Sequence, residues 1–265
     1  MTRKPGERVL WDIIRGYDSL LVSYSGGVDS TLLAVIAGDV LGTNSRAVFL
    51  DSPLVPRAAV SDAKKTAGDC GIMLDIVKAP VLVQPEFIAN RTDRCYTCKK
   101  ILAEVLLDHA SSHGLARVAD GANISDLEEH RPGLTASTEA GIVHPFIEAG
   151  IAKKDIRRIA RDLSLPVWQK PSAACLASRI PYGDTITAQK LLMIEKAEAF
   201  LACRGIGQLR VRLHGTTARI EVHKEDWGTV LEQHEQIAKK FRSLGFTYIT
   251  LDLEGYRSGS MDEIL

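Results

Sequence analysis

Apolar residues recur along this chain in alternating rhythms. A mostly apolar run over 20–24 stops at Ser25-Gly26-Gly27-Val28-Asp29-Ser30, and helical spacing begins at once with Leu32, Leu33, Val35 and Ile36. An opening helix is expected over 7–17. Further strand-type runs occupy 46–50, 72–77 and 117–120. Helical patterns lie between and after them: from Pro56 to Gly71, over about 99–113, and over 154–163. This βαβ alternation predicts an α/β fold, a parallel sheet with helices on both faces. Ligands of such sheets bind at the carboxyl ends of strands. The serine-glycine turn, Asp51 and Asp120-Gly121 all fall at such ends.

The back third has its own pattern. Residues 187–203 place Leu191, Leu192, Ile194, Ala197, Phe200 and Leu201 on one broad helical face. Residues 208–214 alternate strictly, with Leu209, Val211 and Leu213 on one side and Arg210, Arg212 and His214 on the other. A turn at Gly215 leads into a second alternating run over 218–222, which closes a hairpin. A helix over 227–244 and a strand over 247–253 complete a small C-terminal α/β unit. The pattern therefore divides the chain into 1–180 and 181–265.

Composition narrows the function classes. The chain's 265 residues suffice for a substantial core. Its 33 basic and 33 acidic residues cancel, which argues against a general nucleic-acid coat or a membrane-surface protein while allowing a local basic patch. The charged start has no apolar core behind it, and no run approaches the length of a membrane span. A cytoplasmic location is expected. Five cysteines then point to thiol, metal or redox chemistry.

Strand, glycine turn and helix start present backbone N–H groups and a positive dipole end to phosphate. Gly26 and Gly27 allow close backbone approach, and Ser25, Ser30 and Thr31 add hydroxyls. No Lys follows the glycines, so this is not the loop that grips β- and γ-phosphates through lysine. The loop 120–126 offers Asp120, Asn123 and Asp126, a set able to hold Mg²⁺ with phosphate oxygens. Taken alone, it reads as a loop of good turn formers. Cys95 and Cys98 form a Cys-x-x-Cys, and Cys175 lies in an irregular stretch near the domain boundary. Their spacing leaves three readings open: a [4Fe–4S] cluster with one open iron, zinc with a fourth ligand, or reduced thiols. Cys70 and Cys203 read as packing thiols. Arg210 and Arg212 share one strand face and suit an anion clamp. A solvated face paired with Glu221 is the competing reading. Arg257 offers one more anion contact.

Ser-Gly-Gly-x-Asp-Ser resembles the signature of the PP-loop ATP pyrophosphatases, which cleave ATP between the α- and β-phosphates and adenylylate an oxygen of their substrate. Asp-Gly-x-Asn-x-x-Asp over 120–126 resembles the second nucleotide-site motif of these enzymes, and 153–157 resembles their lysine-containing helix start. Nearly the whole chain is similar to the LarE family of ATP-dependent sulfur insertases, which mature the nickel-pincer nucleotide cofactor of lactate racemase. The similarity runs through 131–134, 178–183, 210–214 and 251–259.

That resemblance implies a PP-loop (adenine nucleotide alpha hydrolase-like) fold. It implies ATP on Ser23, Ser25, Gly26, Gly27, Asp29, Ser30, Asp51, Gly121 and Asn123, with Mg²⁺ on Asp29 and Asp126. The phosphate of a pyridine mononucleotide substrate would meet Arg179, Arg210, Arg212 and Arg257. The family's first-described form gives up the sulfur of a single cysteine. This chain carries Cys95 and Cys98 beside Cys175, and so resembles the form whose three cysteines hold a [4Fe–4S] cluster with sulfide on the open iron. The implied reaction makes an acyl adenylate on a substrate carboxylate and displaces AMP with sulfide, with Cys175 and Asp29 as catalytic residues. Inorganic sulfide or a sulfide donor would resupply the sulfur. The resemblance also implies a homo-oligomer, a hexamer, with the C-terminal unit serving substrate binding and assembly. A cluster-dependent tRNA-thiolating PP-loop enzyme is a second reading, opposed by zero net charge and the lack of a basic, aromatic-rich appended domain. A non-enzymatic AMP-binding scaffold is a third, disfavoured by the intact phosphate loop.

Overall fold

Nothing polar interrupts Leu20, Leu21 and Val22, and all three are fully buried at the centre of a four-stranded parallel sheet. The computed structural model describes residues 5–128, 132–172, 174–257, 261 and 263. Strand β1 (Leu20–Tyr24) pairs in parallel with β2 (Ser45–Asp51) on one side and β4 (Arg117–Ala119) on the other, and β3 (Leu74–Lys78) extends the sheet beyond β2. The order is β3-β2-β1-β4.

Helices α1 (Pro5–Arg15), α2 (Val28–Leu41) and α3 (Arg57–Asp69) precede β3, and the short α4 (Pro85–Ile88) follows it. Then come α5 (Arg94–Ser112), α6 (Pro132–Glu139), α7 (Pro145–Glu148) and α8 (Lys153–Asp162). Alternation along β1 sends side chains to both faces of the sheet. Leu20, Val22 and Tyr24 pack with Leu10, Leu33, Ile36 and Ile156, whereas Leu21 packs with Val48, Ala103, Leu106 and Ala110 of the α5 side. The parallel α/β architecture expected from the sequence is therefore present, with helices on both faces.

Two elements differ from the sequence expectation. Helix α5 begins at Arg94, so Cys95 and Cys98 stand inside its first turns; apolar spacing marks the helix only from Ile101 onward. The expected helix over 227–244 is two helices, α10 (Trp227–Glu232) and α11 (His234–Leu244), because Gln233 leaves helical geometry at φ −101° and ψ 13°.

The chain divides into two compact units. Unit 1 holds Met1–Val81 and Asp93–Ala173; unit 2 holds Leu82–Thr92 and Ala174–Leu265. Residues 174–180, assigned to the first domain on sequence, belong to unit 2, as does the excursion over 82–92. In unit 2, β5 (Leu209–His214) and β6 (Thr217–Val222) form the expected antiparallel hairpin, and β7 (Tyr248–Leu251) adds in parallel to β6. Helix α9 (Ala188–Ala202) supplies Leu191, Ile194 and Leu201 to a core shared with Val211, Ile220 and Phe241. Among the described residues, no helix is long and apolar enough to cross a membrane.

Candidate active site

The turn after β1 is shaped by glycine. Gly26 has φ +72°, and a Cβ there would stand 2.8 Å from Ala63 Cβ, so only glycine seats this turn against α3. Ser25 and Ser30 close the loop. The Ser25 N–H donates to Ser30 Oγ at 3.1 Å, and the two hydroxyl oxygens also lie 3.1 Å apart. Gly27 caps α2 in extended geometry without a side-chain cap, so the first N–H groups of a 14-residue helix have no side-chain oxygen upon them. Such a helix start has the geometry that suits an anion.

Asp29 lies in the first turn of α2. Its Oδ2 pairs with Lys153 Nζ at the start of α8, while its Oδ1 is buried with no hydrogen-bond partner among the described residues. A buried, unsatisfied carboxylate oxygen is costly and invites a cation. The loop after β4 approaches this point closely. A Cβ on Gly121 would fall 2.9 Å from Asp29 Cβ and 3.1 Å from the Ser30 nitrogen.

Beside Gly121, Asp120 Oδ1 sits 2.7 Å from His144 Nδ1, and Oδ2 sits 3.1 Å from Lys99 Nζ. Thr138 Oγ1 meets the other ring nitrogen of His144 at 2.9 Å. Burial disfavours the Asp120 charge, but the His144 hydrogen bond and the Lys99 charge outweigh it and hold the carboxyl well below the usual range.

A cavity of about 670 Å³ collects these groups within unit 1, a size typical of small-molecule sites. Ser23, Ser25, Asp29, Ser30, Gly121, Asn123, Asp126 and Cys95 line it, together with Lys99, Asp120 and Lys153. Cys95 and Lys99 are four residues apart on α5 and so share a helix face. Gly26 and Gly27 shape the loop without lining the cavity, and Cys98 is partly buried outside the lining. Asp51 ends β2 as expected, but it also stands outside the lining, and Arg57 Nη1 donates to its Oδ1 at 2.6 Å. Asp126 is more a structural acid than the sequence suggested. Its Oδ2 accepts from the Asn123 N–H at 2.9 Å and from Asn123 Nδ2 at 2.8 Å, forming a capping box on the short 3-10 helix Ile124–Leu127.

In unit 2, Cys175 is exposed at the N-cap of the 3-10 helix Leu176–Arg179. Two of the arginines behind it are held by carboxylates of their own unit, and the pairing with Glu221 raised as the competing reading is present for Arg212. Arg179 is buried; it pairs with both oxygens of Glu198 and donates to the carbonyls of Ala174 and Cys175, each at 2.9 Å. Arg212 is also buried, bound to Glu221 at 2.9 Å and to the Ser178 carbonyl at 2.7 Å. Strand alternation reports a side of the sheet, and here that side is covered. Arg257 pairs with Glu254 and Glu263, so carboxylates flank its guanidinium. Arg210 makes no ion pair with a described residue; it donates to the Leu209 carbonyl and its guanidinium carbon lies 5.1 Å from the centre of the Tyr256 ring. Burial, and next the Arg179 charge, push its pKa below the ordinary value. Arg131, Ser258 and Gly259 of the matching segments lie outside the described residues.

Sequence reasoning missed Lys99 and His144. The four-residue step from Cys95 was a signal for Lys99, whereas His144 stands 24 residues from Asp120 with no local mark.

No protein-family model matches the chain. An uncharacterized protein of Synechocystis is 40% identical over 250 residues, covering 94% of this chain and 93% of that protein. The pyridinium-3,5-bisthiocarboxylic acid mononucleotide synthase of Lactiplantibacillus plantarum is 36% identical over 253 residues, covering 95% and 92%. A GMP synthase of Aeropyrum pernix is 28% identical over 205 residues, covering 69% of this chain and 39% of that enzyme. With this similarity along nearly its whole length, and a parallel sheet carrying the serine-glycine loop, the chain is an enzyme of the LarE-like family within the PP-loop superfamily.

Proposed function

We propose that this enzyme uses ATP to convert a carboxylate of a pyridinium dicarboxylate mononucleotide into a thiocarboxylate, as a homo-oligomer in the cytoplasm. The name of the Lactiplantibacillus relative supports the substrate class. The observation that carries the reading is one cavity lined at once by the phosphate loop, an acid with a spare buried oxygen, and Cys95.

The helix N-terminus and the Ser25 and Ser30 hydroxyls bind ATP phosphates. Asp29 Oδ1 would hold Mg²⁺, and Lys99 and Lys153 add positive charge beside it. A substrate carboxylate oxygen attacks the α-phosphorus; the bond from α-phosphorus to the bridging oxygen breaks and pyrophosphate leaves. Positioned donors are what this step demands, since developing charge lies on phosphate oxygens. A sulfur nucleophile then displaces AMP from the acyl adenylate. Arg210, partly desolvated and without an ion pair among the described residues, would receive the substrate's phosphate.

Three thiolates suit iron–sulfur ligation. Cys95 and Cys98 are one helical turn apart in the first turns of α5, a spacing that suits two ligands of one metal centre, and the family resemblance adds Cys175 to that set. Cys95, Cys98 and Cys175 would hold a [4Fe–4S] cluster, which would supply the sulfur nucleophile.

The test incubates anaerobically purified enzyme with ATP and pyridinium-3,5-dicarboxylic acid mononucleotide. AMP and pyrophosphate are expected. Asp29→Ala should slow their formation by about 10²–10³-fold, the usual cost of lost electrostatic stabilisation, whereas Cys175→Ala should still make them. Appearance of ADP overturns the assignment.

A further inference from the structure

Asp75, His109 and His113 lie together at the opposite end of the sheet from the cavity. His109 and His113 are one helical turn apart at the end of α5, and Asp75 stands near the start of the edge strand β3. One donor atom from each falls within 4.8 Å of the others. His109 Nε2 is already 3.1 Å from Asp75 Oδ2, close to the about 3.3 Å that separates two ligands of a tetrahedral ion bound at about 2.0–2.1 Å.

The outer contacts also suit ligation. His113 Nδ1 lies 2.8 Å from the His109 carbonyl, an acceptor, so Nδ1 carries the proton and Nε2 keeps its lone pair. Arg46 donates to Asp75 Oδ1 at 3.1 Å and to Oδ2 at 2.9 Å, which keeps the carboxylate ionised and oriented. A backbone carbonyl fixing an imidazole and a hydrogen-bonded carboxylate are the supports that metal ligands usually have.

We propose that Asp75, His109 and His113 bind a divalent first-row transition ion of the Zn²⁺ or Ni²⁺ class, with water completing its coordination. Two imidazoles and one carboxylate favour such ions over Mg²⁺ or Ca²⁺, which prefer all-oxygen sites. The bound ion ties the end of α5 to the edge strand. This site is separate from the thiolates and does not rest on the function proposed above.

The experiment uses the untagged full chain, stripped with chelator and titrated with Zn²⁺, then with Co²⁺ as a spectroscopic probe. With Cys95, Cys98 and Cys175 replaced by Ser so that thiolates cannot compete, the chain should bind one ion through nitrogen and oxygen, giving ligand-field bands without sulfur-to-metal charge transfer, and its thermal midpoint should rise with Zn²⁺. His113→Ala removes an exposed ligand with little risk to folding. It should weaken binding by more than the about 10–100-fold typical of changes to supporting residues and should cancel the thermal shift. In that thiol-free background, unchanged Zn²⁺ affinity in His113→Ala, or Zn²⁺ binding no tighter than that of Mg²⁺, overturns the proposal.

Discussion

Desolvation alone would raise the Asp120 pKa, yet His144 and Lys99 bring it below the ordinary value of about 3.9. A carboxyl whose folded pKa is depressed stabilises the fold above its unfolded pKa and loses that contribution as pH falls through the folded value. Asp120→Asn should therefore destabilise the protein at pH 7, and its gap from wild type should shrink below about pH 4. Urea midpoints at pH 7, 5 and 3 measure this; a constant gap would show that the Asp120 charge is not the cause. The arginines behind Cys175 separate in the same way. Arg212→Ala takes one of two arginines from the buried Glu221, Arg219 remaining at 2.8 Å, and should cost about 1–3 kcal/mol. Arg210→Ala breaks no ion pair with a described residue, so it should cost much less stability while weakening mononucleotide binding about ten- to a hundredfold. Equal losses of stability would erase the distinction. Ser25, Gly26 and Asp29 were legible in the sequence because their signal is complete within six consecutive residues. Lys99 and His144 reach the site from other elements, and the burial of Arg212 beside Glu221 was not legible because alternation cannot tell a covered face from a wet one.

Helix α5 links the cavity to the far end of the sheet, carrying Cys95 and Lys99 at one end and His109 and His113 at the other. Its seat depends on a narrow apolar stripe. Leu106 is 1% exposed against Leu21 and Val48, whereas its neighbour Leu107 is 36% exposed. Leu106→Ala should cost about 2–5 kcal/mol, and Leu107→Ala less than about 1 kcal/mol, read from denaturant midpoints. A reversed order would mean that the helix is rotated about its axis. The strands of unit 1 were legible because buried parallel strands are written as continuous apolar runs. The first turn of α5 was not, because Arg94 to Lys100 carries no apolar period and the helix there is set by tertiary context.

At the scale of the whole molecule, the sequence pattern cuts the chain at a single point, after residue 180, whereas the fold groups 82–92 with 174–265. No local signal could show that 82–92 leaves unit 1, since its partners are supplied far along the chain. Phe87 is 1% exposed, and Asn90, fully buried at φ +54°, donates through Nδ2 to the carbonyls of Pro181 and Asp184 at 2.6 and 2.9 Å. Asn90→Gly keeps the backbone conformation and removes the amide, so it should cost about 1–3 kcal/mol. Asn90→Ala should cost more, because alanine tolerates left-handed geometry poorly. Equal losses, read from thermal or urea unfolding, would mean that the backbone strain is negligible. This buried loop also sets a timetable for synthesis. The Asn90 amide waits for acceptors that begin 90 residues later, roughly 5–20 s at ribosomal rates of about 5–20 residues per second. Over that interval the nascent chain carries Phe87 before the rest of its unit exists, which leaves 82–92 open to a holding chaperone until 180–184 have been made.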